Sequence, residues 1–350
     1  MLPGLIIFFC LILYILLRRG STSPIKAEKG QQSIAELTKI NIGNSQQWVL
    51  IRSENINNPV ILFVHGGPGT SQLTLIKNNT KYLEKYFTVV GWDQRGAAKS
   101  YNAGKNTNDM KIDQFVSDTI QVAEYLIKRL NKKNIILAGH SWGTIISTLA
   151  VTRRPDLFSA YIGIGQVANM NEGERISYEW VLKQAQMAGN KNDINALTGI
   201  GKPPYTGNWK KKTMVQRQLL GKYGGEYHSS KTGALGVVMK SLIFSTEYTF
   251  IDRVNFFRGM LRSVELLFPQ MAKINFFEQV PELKVPVWFI LGRYDYEVPS
   301  VLSERYYTFL TAPEKHICWF EKSAHMPNIE KRGLFHKILV KNIRGEIAAD

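Results

Sequence analysis

Five residues, Gly139-His140-Ser141-Trp142-Gly143, constrain what this chain can fold into more than any other stretch. The apolar run Ile135-Ile136-Leu137-Ala138 precedes them and reads as a buried strand, and residues 144–150 follow as a buried helix. A strand that turns into a helix within about two residues holds the central residue in a strained backbone conformation, and glycines two before and two after it remove the Cβ atoms that would collide. Ser141 is therefore expected to stand exposed at a helix N-terminus. There the Trp142 N–H and the positive end of the helix dipole can meet negative charge developing on a substrate oxygen.

A serine hydroxyl is a poor nucleophile until a base takes its proton, and the base needs an acid to orient it. In an open parallel sheet both partners should lie just beyond the carboxyl ends of strands. Asp295 comes four residues after Leu291, in Gly292-Arg293-Tyr294-Asp295-Tyr296-Glu297-Val298-Pro299, and His325 five after Phe320, in Ser323-Ala324-His325-Met326-Pro327. The order serine, aspartate, histidine is one in which such triads occur on parallel sheets. The other histidines weighed suit the base less well. His140 adjoins the serine and should point away from it, His65 lies in a glycine loop, His228 in a presumed insertion and His336 inside the last helix. Glu297 is the competing orienter, two residues out of register with Asp295.

The rest of the chain supplies the sheet. Residues 33–42 and 47–52 alternate apolar and polar around Gly43-Asn44-Ser45 and read as an antiparallel hairpin. The run Val60-Ile61-Leu62-Phe63-Val64 suits burial on both faces. Strands are expected at residues 87–91, 135–138, 160–164, 285–291 and 316–320. Helices are expected at 73–86, 112–130, 144–150, 300–309 and 333–344. This is an α/β protein with a mostly parallel sheet between helices. The alternation stops for residues 166–284, a stretch of amphipathic helical segments too long for one crossover, which reads as a helical lid. The expected organisation is an N-terminal anchor at 1–19, a tether at 20–32, the sheet domain at 33–165 and 285–350, and the lid at 166–284.

The anchor is read from an uncharged apolar run at residues 2–17, ended by Arg18-Arg19. No basic segment precedes the run and no small-x-small cleavage site follows it, so it reads as an uncleaved single-pass anchor in the cell membrane. Basic residues on its carboxyl side place the catalytic domain in the cytoplasm. The chain carries 44 Lys and Arg against 28 Asp and Glu, a formal charge of +16, but the basic residues are spread out with no zinc-finger or RNA-binding pattern, which argues against nucleic acid. With two cysteines, Cys10 and Cys318, the sequence offers neither a disulfide framework nor a metal site.

A second oxyanion donor should come from the loop after the first parallel strand, where His65-Gly66-Gly67-Pro68-Gly69 sits, and Gly67 is the candidate. That loop lacks the spacing and the lysine of a nucleotide-binding loop. Taken with Trp92-Asp93-Gln94-Arg95-Gly96, Ser100 and Gly139-His140-Ser141-Trp142-Gly143, it resembles the motifs of the prolyl aminopeptidase (proline iminopeptidase) branch of the α/β-hydrolases. The resemblance covers roughly residues 59–165 and 285–327. It departs at Ala97-Ala98-Lys99, where many members carry Cys-Gly-Arg. It implies that Asp93 and Arg95 serve the scaffold, that no cofactor is needed, and that acids of the lid hold the substrate's free amino group. Glu172, Glu174, Glu179 and Glu226 are the candidates. The expected substrate is a small molecule or short peptide with a free amino terminus. A carboxylic ester or amide is the alternative, and a non-catalytic scaffold on a hydrolase fold is a third.

Overall fold

The computed structural model of the chain describes residues 2–17, 20–104, 107–228 and 233–347. The apolar run at the amino terminus forms helix α1, Leu2–Leu17, of 16 residues. At ~1.5 Å per residue it reaches ~24 Å, short of the ~30 Å hydrocarbon core of a bilayer. Among the described residues no helix is long and apolar enough to cross a membrane. The expected anchor at residues 2–17, the placement in the cell membrane and the cytoplasmic orientation drawn from it are corrected accordingly.

Strands β1 (Ile34–Ile42) and β2 (Ser45–Ser53) form the expected hairpin. They are followed by β3 (Val60–Val64), β4 (Thr88–Asp93), β5 (Ile135–His140), β6 (Phe158–Ile164), β7 (Val287–Gly292) and β8 (Lys315–Phe320). One sheet joins all eight in the order β1-β2-β4-β3-β5-β6-β7-β8. β2 is antiparallel to β4, and every pair from β4 to β8 is parallel. The strands alternate between two buried faces. Val60, Leu62 and Val64 face one core with Leu137 and Phe289, while Ile61 and Phe63 face the other with Ile136 and Trp288. Burial on both faces explains why these strands are continuous apolar runs.

Helices α2 (Leu73–Thr80), α3 (Ile112–Leu130) and α4 (Trp142–Arg153) fill the crossovers. The helix expected at residues 73–86 ends early and continues as a 3-10 turn, Lys81–Lys85. Asn79 donates to the Leu75 carbonyl at 2.8 Å and Thr80 to that of Ile76 at 2.7 Å, so side chains take carbonyls of the last turn. Between β6 and β7 come α5 (Met170–Met187), α6 (Lys191–Ile200), α7 (Trp209–Lys222), α8 (Gly233–Phe244), α9 (Phe250–Met271) and the short α10 (Phe276–Gln279). This helical layer is tied to the sheet by buried polar groups. The Tyr248 hydroxyl donates to Asp93 at 2.8 Å, and Lys99 pairs with Asp252 at 2.8 Å. Helices α11 (Ser300–Phe309), α12 (Pro327–Glu330) and α13 (Arg332–Ile338) complete the chain, with a π turn, Leu339–Ile343, where the sequence predicts unbroken helix.

Candidate active site

The site is assembled at the carboxyl edge of the sheet. Ser141, between β5 and α4, has φ 54° and ψ −121°, a left-handed conformation costly for any residue with a Cβ. The glycines around it let the turn form. A Cβ on Gly143 would run into the Val64 carbonyl oxygen, and one on Gly139 would sit 2.7 Å from the Gly143 oxygen. The turn is held by the Ser141 N–H donating to the Ile164 carbonyl at 3.0 Å, and by the Thr144 N–H and hydroxyl donating to the Ser141 carbonyl at 2.8 and 2.7 Å.

Asp295 and His325 meet across the ends of β7 and β8. His325 Nδ1 donates to Asp295 Oδ2 at 2.9 Å, while Asp295 Oδ1 accepts the Val298 N–H at 2.9 Å. Both residues are buried, at 1% and 6% exposure, and they are seated on Gly165, where a Cβ would come within 3.0 Å of the His325 ring. This pairing assigns the Nδ1–H tautomer and leaves Nε2 without a proton, able to accept one. Burial works against a charged imidazole here. The Asp295 carboxylate outweighs it, with Glu297 and Glu226 adding to the effect, and the His325 pKa is raised to about 9. Glu297, the competing orienter, instead pairs with the Arg217 guanidinium at 3.1 Å.

His140 does more than the sequence assigns to it. Its Nε2–H donates to the His325 carbonyl at 2.9 Å, its Nδ1 accepts from the Gln72 amide at 3.0 Å, and its ring lies 4.8 Å from the His325 ring. Burial first, then the neighbouring His325 charge, lower its pKa to about 3, so it stays neutral beside His325. No sequence motif signals this contact, because Gln72 and His325 come from distant parts of the chain.

The glycine loop runs against the serine, since a Cβ on Gly66 would lie 3.1 Å from Ser141 Cβ. Buried side chains fix it. His65 Nδ1 donates to the Gly66 carbonyl at 2.8 Å, and His65 Nε2 accepts the Gln94 N–H at 3.2 Å. Gln94 donates back to the His65 carbonyl at 2.8 Å and accepts from the Trp142 indole at 2.9 Å. Burial lowers the His65 pKa to about 4, which suits a neutral ring acting as both donor and acceptor. Gln94 thus links the loop carrying Gly67 to the helix beginning at Trp142. Asp93 and Arg95, flanking it, are buried in the scaffold: Asp93 on Ser71 and Tyr248, and Arg95 on Asp118 at 3.0 Å.

Ser141, Gly67 and Trp142 line a cavity of about 200 Å³, closed on its far side by Glu174, Thr213, Arg217, Phe268 and Glu297. Of the four lid acids named from sequence, two come to this region. Glu174 is half-buried on the Arg217 guanidinium and accepts from the Gln216 amide at 3.3 Å. Burial raises its pKa against the opposing charge of Arg217. Glu226 lies on the strap after α7, where its carbonyl accepts the His325 N–H at 3.1 Å. Burial first, and then Glu297, raise the Glu226 pKa to about 7, while His325 and Arg217 pull it down. Glu172 and Glu179 are elsewhere, paired with Arg305 at 2.6 Å and Arg175 at 2.9 Å. Three carboxylates, Glu174, Glu226 and Glu297, therefore gather around one guanidinium. No sequence signal marks Arg217 or its pairing with Glu297, because helical spacing on α7 does not say which face meets the serine, and Glu297 comes from the distant loop after β7.

Residues 59–193 match the α/β-hydrolase fold family. A probable aminopeptidase of Bacillus subtilis, YbaC, is 37% identical over 317 residues, covering 90% of this chain and 98% of the relative. A proline iminopeptidase of Heyndrickxia coagulans is 25% identical over 283 residues, covering 79% of this chain and 88% of the relative. Among solved structures, a proline iminopeptidase-related protein from Thermus thermophilus superposes with a TM-score of 0.65 at 15% identity, over 91% of this chain and 100% of that one. That likeness speaks to the fold.

Proposed function

The chain belongs to the α/β-hydrolase family, resembling its proline iminopeptidase branch, and we propose that it is a serine hydrolase working through Ser141, His325 and Asp295, an aminopeptidase on short substrates with a free amino terminus. The observation that carries the reading is the buried His325–Asp295 pair at the same sheet edge as a serine held at φ 54°. In this mechanism Ser141 Oγ attacks the carbonyl carbon as His325 Nε2 takes its proton. The Gly67 and Trp142 N–H groups receive the oxyanion. Collapse breaks the carbonyl–nitrogen bond, and His325 hands its proton to the departing amine. Water then attacks the acyl-enzyme with His325 again as base, releasing the acid and restoring Ser141. Asp295 steadies the imidazolium in both halves.

The aminopeptidase reading is supported by the excess of carboxylates over guanidinium in the lid wall. An ammonium brought into a buried pocket needs such partners. The ester or amide reading is supported by Arg217, which already pairs with Glu174 and Glu297, the two carboxylates that line the cavity. Turnover of an aminoacyl-arylamide, its N-acetyl derivative and a p-nitrophenyl ester separates the two. The aminopeptidase should lose most of its activity on acetylation, whereas equal cleavage of free and acetylated substrates would favour the esterase or amidase. Absence of fluorophosphonate labelling at Ser141 would remove both.

A further inference from the structure

Beyond the cavity that holds Ser141 lies a second one of about 250 Å³. Its own walls are Asn171, Pro203, Pro204, Tyr205, Trp209, Pro269 and Ala272, and the Trp209 ring stacks on Phe268 at 5.2 Å. Met170, Glu174, Thr213 and Phe268 line both cavities, so the two adjoin along this shared wall. At that wall the two polar side chains differ. Glu174 is occupied by Arg217 and Gln216, whereas Thr213 Oγ1 is buried with no hydrogen-bond partner among the described residues. A buried hydroxyl left unpaired is disfavoured, and one placed at a gate between two cavities is suited to a polar atom passing through it.

We propose that the second cavity is the subsite for a large apolar group on the acyl part of the substrate, with Thr213 Oγ1 hydrogen-bonding the chain that leads to it. The inference rests on the serine-hydrolase reading. The direction follows from the proton transfer: the leaving group must lie on the side of His325, which protonates it, and His325 lines neither cavity. What extends away from that side is the acyl part. A cavity of about 150 Å³ lined by apolar side chains can hold benzene, so 250 Å³ of aromatic and proline surface accommodates a phenyl or indole group.

The test measures labelling rates of Ser141 by three fluorophosphonates, in each of which Oγ displaces fluoride from phosphorus. One carries a methyl group, one a 4-phenylbutyl chain, and one a phenyl-terminated chain of similar length interrupted by an amide. In the wild type the phenylbutyl probe should react at least about tenfold faster than the methyl probe. Ala272→Trp, at an exposed rim position of the second cavity, should abolish that advantage while the methyl rate stays unchanged, which also reports an intact fold. Thr213→Val should slow the amide probe several-fold more than the plain chain. Equal rates for the methyl and phenylbutyl probes in the wild type, or an advantage that survives Ala272→Trp, would overturn the subsite while leaving the hydrolase reading intact. Equal loss of the plain and amide probes in Thr213→Val would overturn the part given to Thr213. No labelling of Ser141 by any probe would overturn the hydrolase reading itself.

Discussion

The sheet edge and the lid wall face each other across one small cavity, and they are built in different ways. On the sheet edge each functional group is fixed by the backbone next to it: Ser141 by its own turn, Asp295 by the Val298 N–H, and Gly67 by a loop braced through His65 and Gln94. On the lid wall the groups hold one another. Glu174 of the lid and Glu297 of the loop after β7 share Arg217, and Glu226, which does not line the cavity, has only the field of its neighbours. The reaction proposed for this site needs fixed geometry, which a strand end supplies. Selectivity needs a charge balance and a shape, both of which helices packed from elsewhere can supply.

That contrast is most sharply tested by substitutions of equal chemical size on the two sides. Ser141→Ala should lower kcat by on the order of 10⁴-fold or more and abolish fluorophosphonate labelling, with no loss in thermal midpoint, because it removes only the hydroxyl. His325→Ala should lower kcat to a similar extent. Asp295→Asn should cost on the order of 10⁴-fold in kcat through a mis-set imidazole tautomer. Glu297→Gln, two residues further along the same loop, should cost less than about tenfold on a neutral ester. A reversal of the last two effects would make Glu297 the orienter in place of Asp295, and the division would collapse.

The same division explains what could be read from the sequence. The elbow, the glycine loop and the positions after β7 and β8 are local signals: glycines at fixed offsets and polar residues just past apolar runs. They predict Ser141, Gly67, Asp295 and His325 directly, and the parallel sheet follows from the continuous runs at Val60–Val64 and Val287–Gly292. The contacts of His140 with Gln72 and His325 span 68 and 185 residues, and no spacing rule reaches so far. In the lid, Glu172, Glu174 and Glu179 lie within two turns of α5, and sequence cannot tell which of them faces inward. Only Glu174 does, because Arg217 and Gln216 of α7 pack on that face. The run at residues 2–17 failed for another reason. Its composition suggests a span, whereas no helix among the described residues is long and apolar enough to cross a membrane.

A smaller effect is expected from the lid carboxylates on binding. Glu226→Gln should raise KM for free-amine substrates by about tenfold or more, the loss expected when a charged partner becomes neutral, and should leave KM for a neutral ester within about twofold. The sign of the pH effect agrees. With its pKa raised to about 7, Glu226 is protonated as pH falls through neutrality, so wild-type KM for an amine substrate should climb below pH 7 while that for the ester does not. In Glu226→Gln this climb should disappear. An unchanged KM profile would mean that the amine is met by another group.

The smallest effect joins the two regions. His325 must be neutral to accept the serine proton, and its pKa is raised to about 9 by Asp295, with Glu297 and Glu226 contributing through their charge. For a neutral ester, kcat/KM should therefore rise with pH through the alkaline range, since this profile reports the free enzyme's base. Removing a negative charge nearby destabilises the imidazolium, so Glu297→Gln and Glu226→Gln should each move that limb to lower pH. The shift should be under about one unit, as befits charges that do not touch the ring. Arg217 works in the opposite sense: Arg217→Met removes the cation that offsets those carboxylates and should move the limb to higher pH. If all three profiles coincide with the wild type, the lid wall acts only on substrate binding and the base is set by the sheet edge alone.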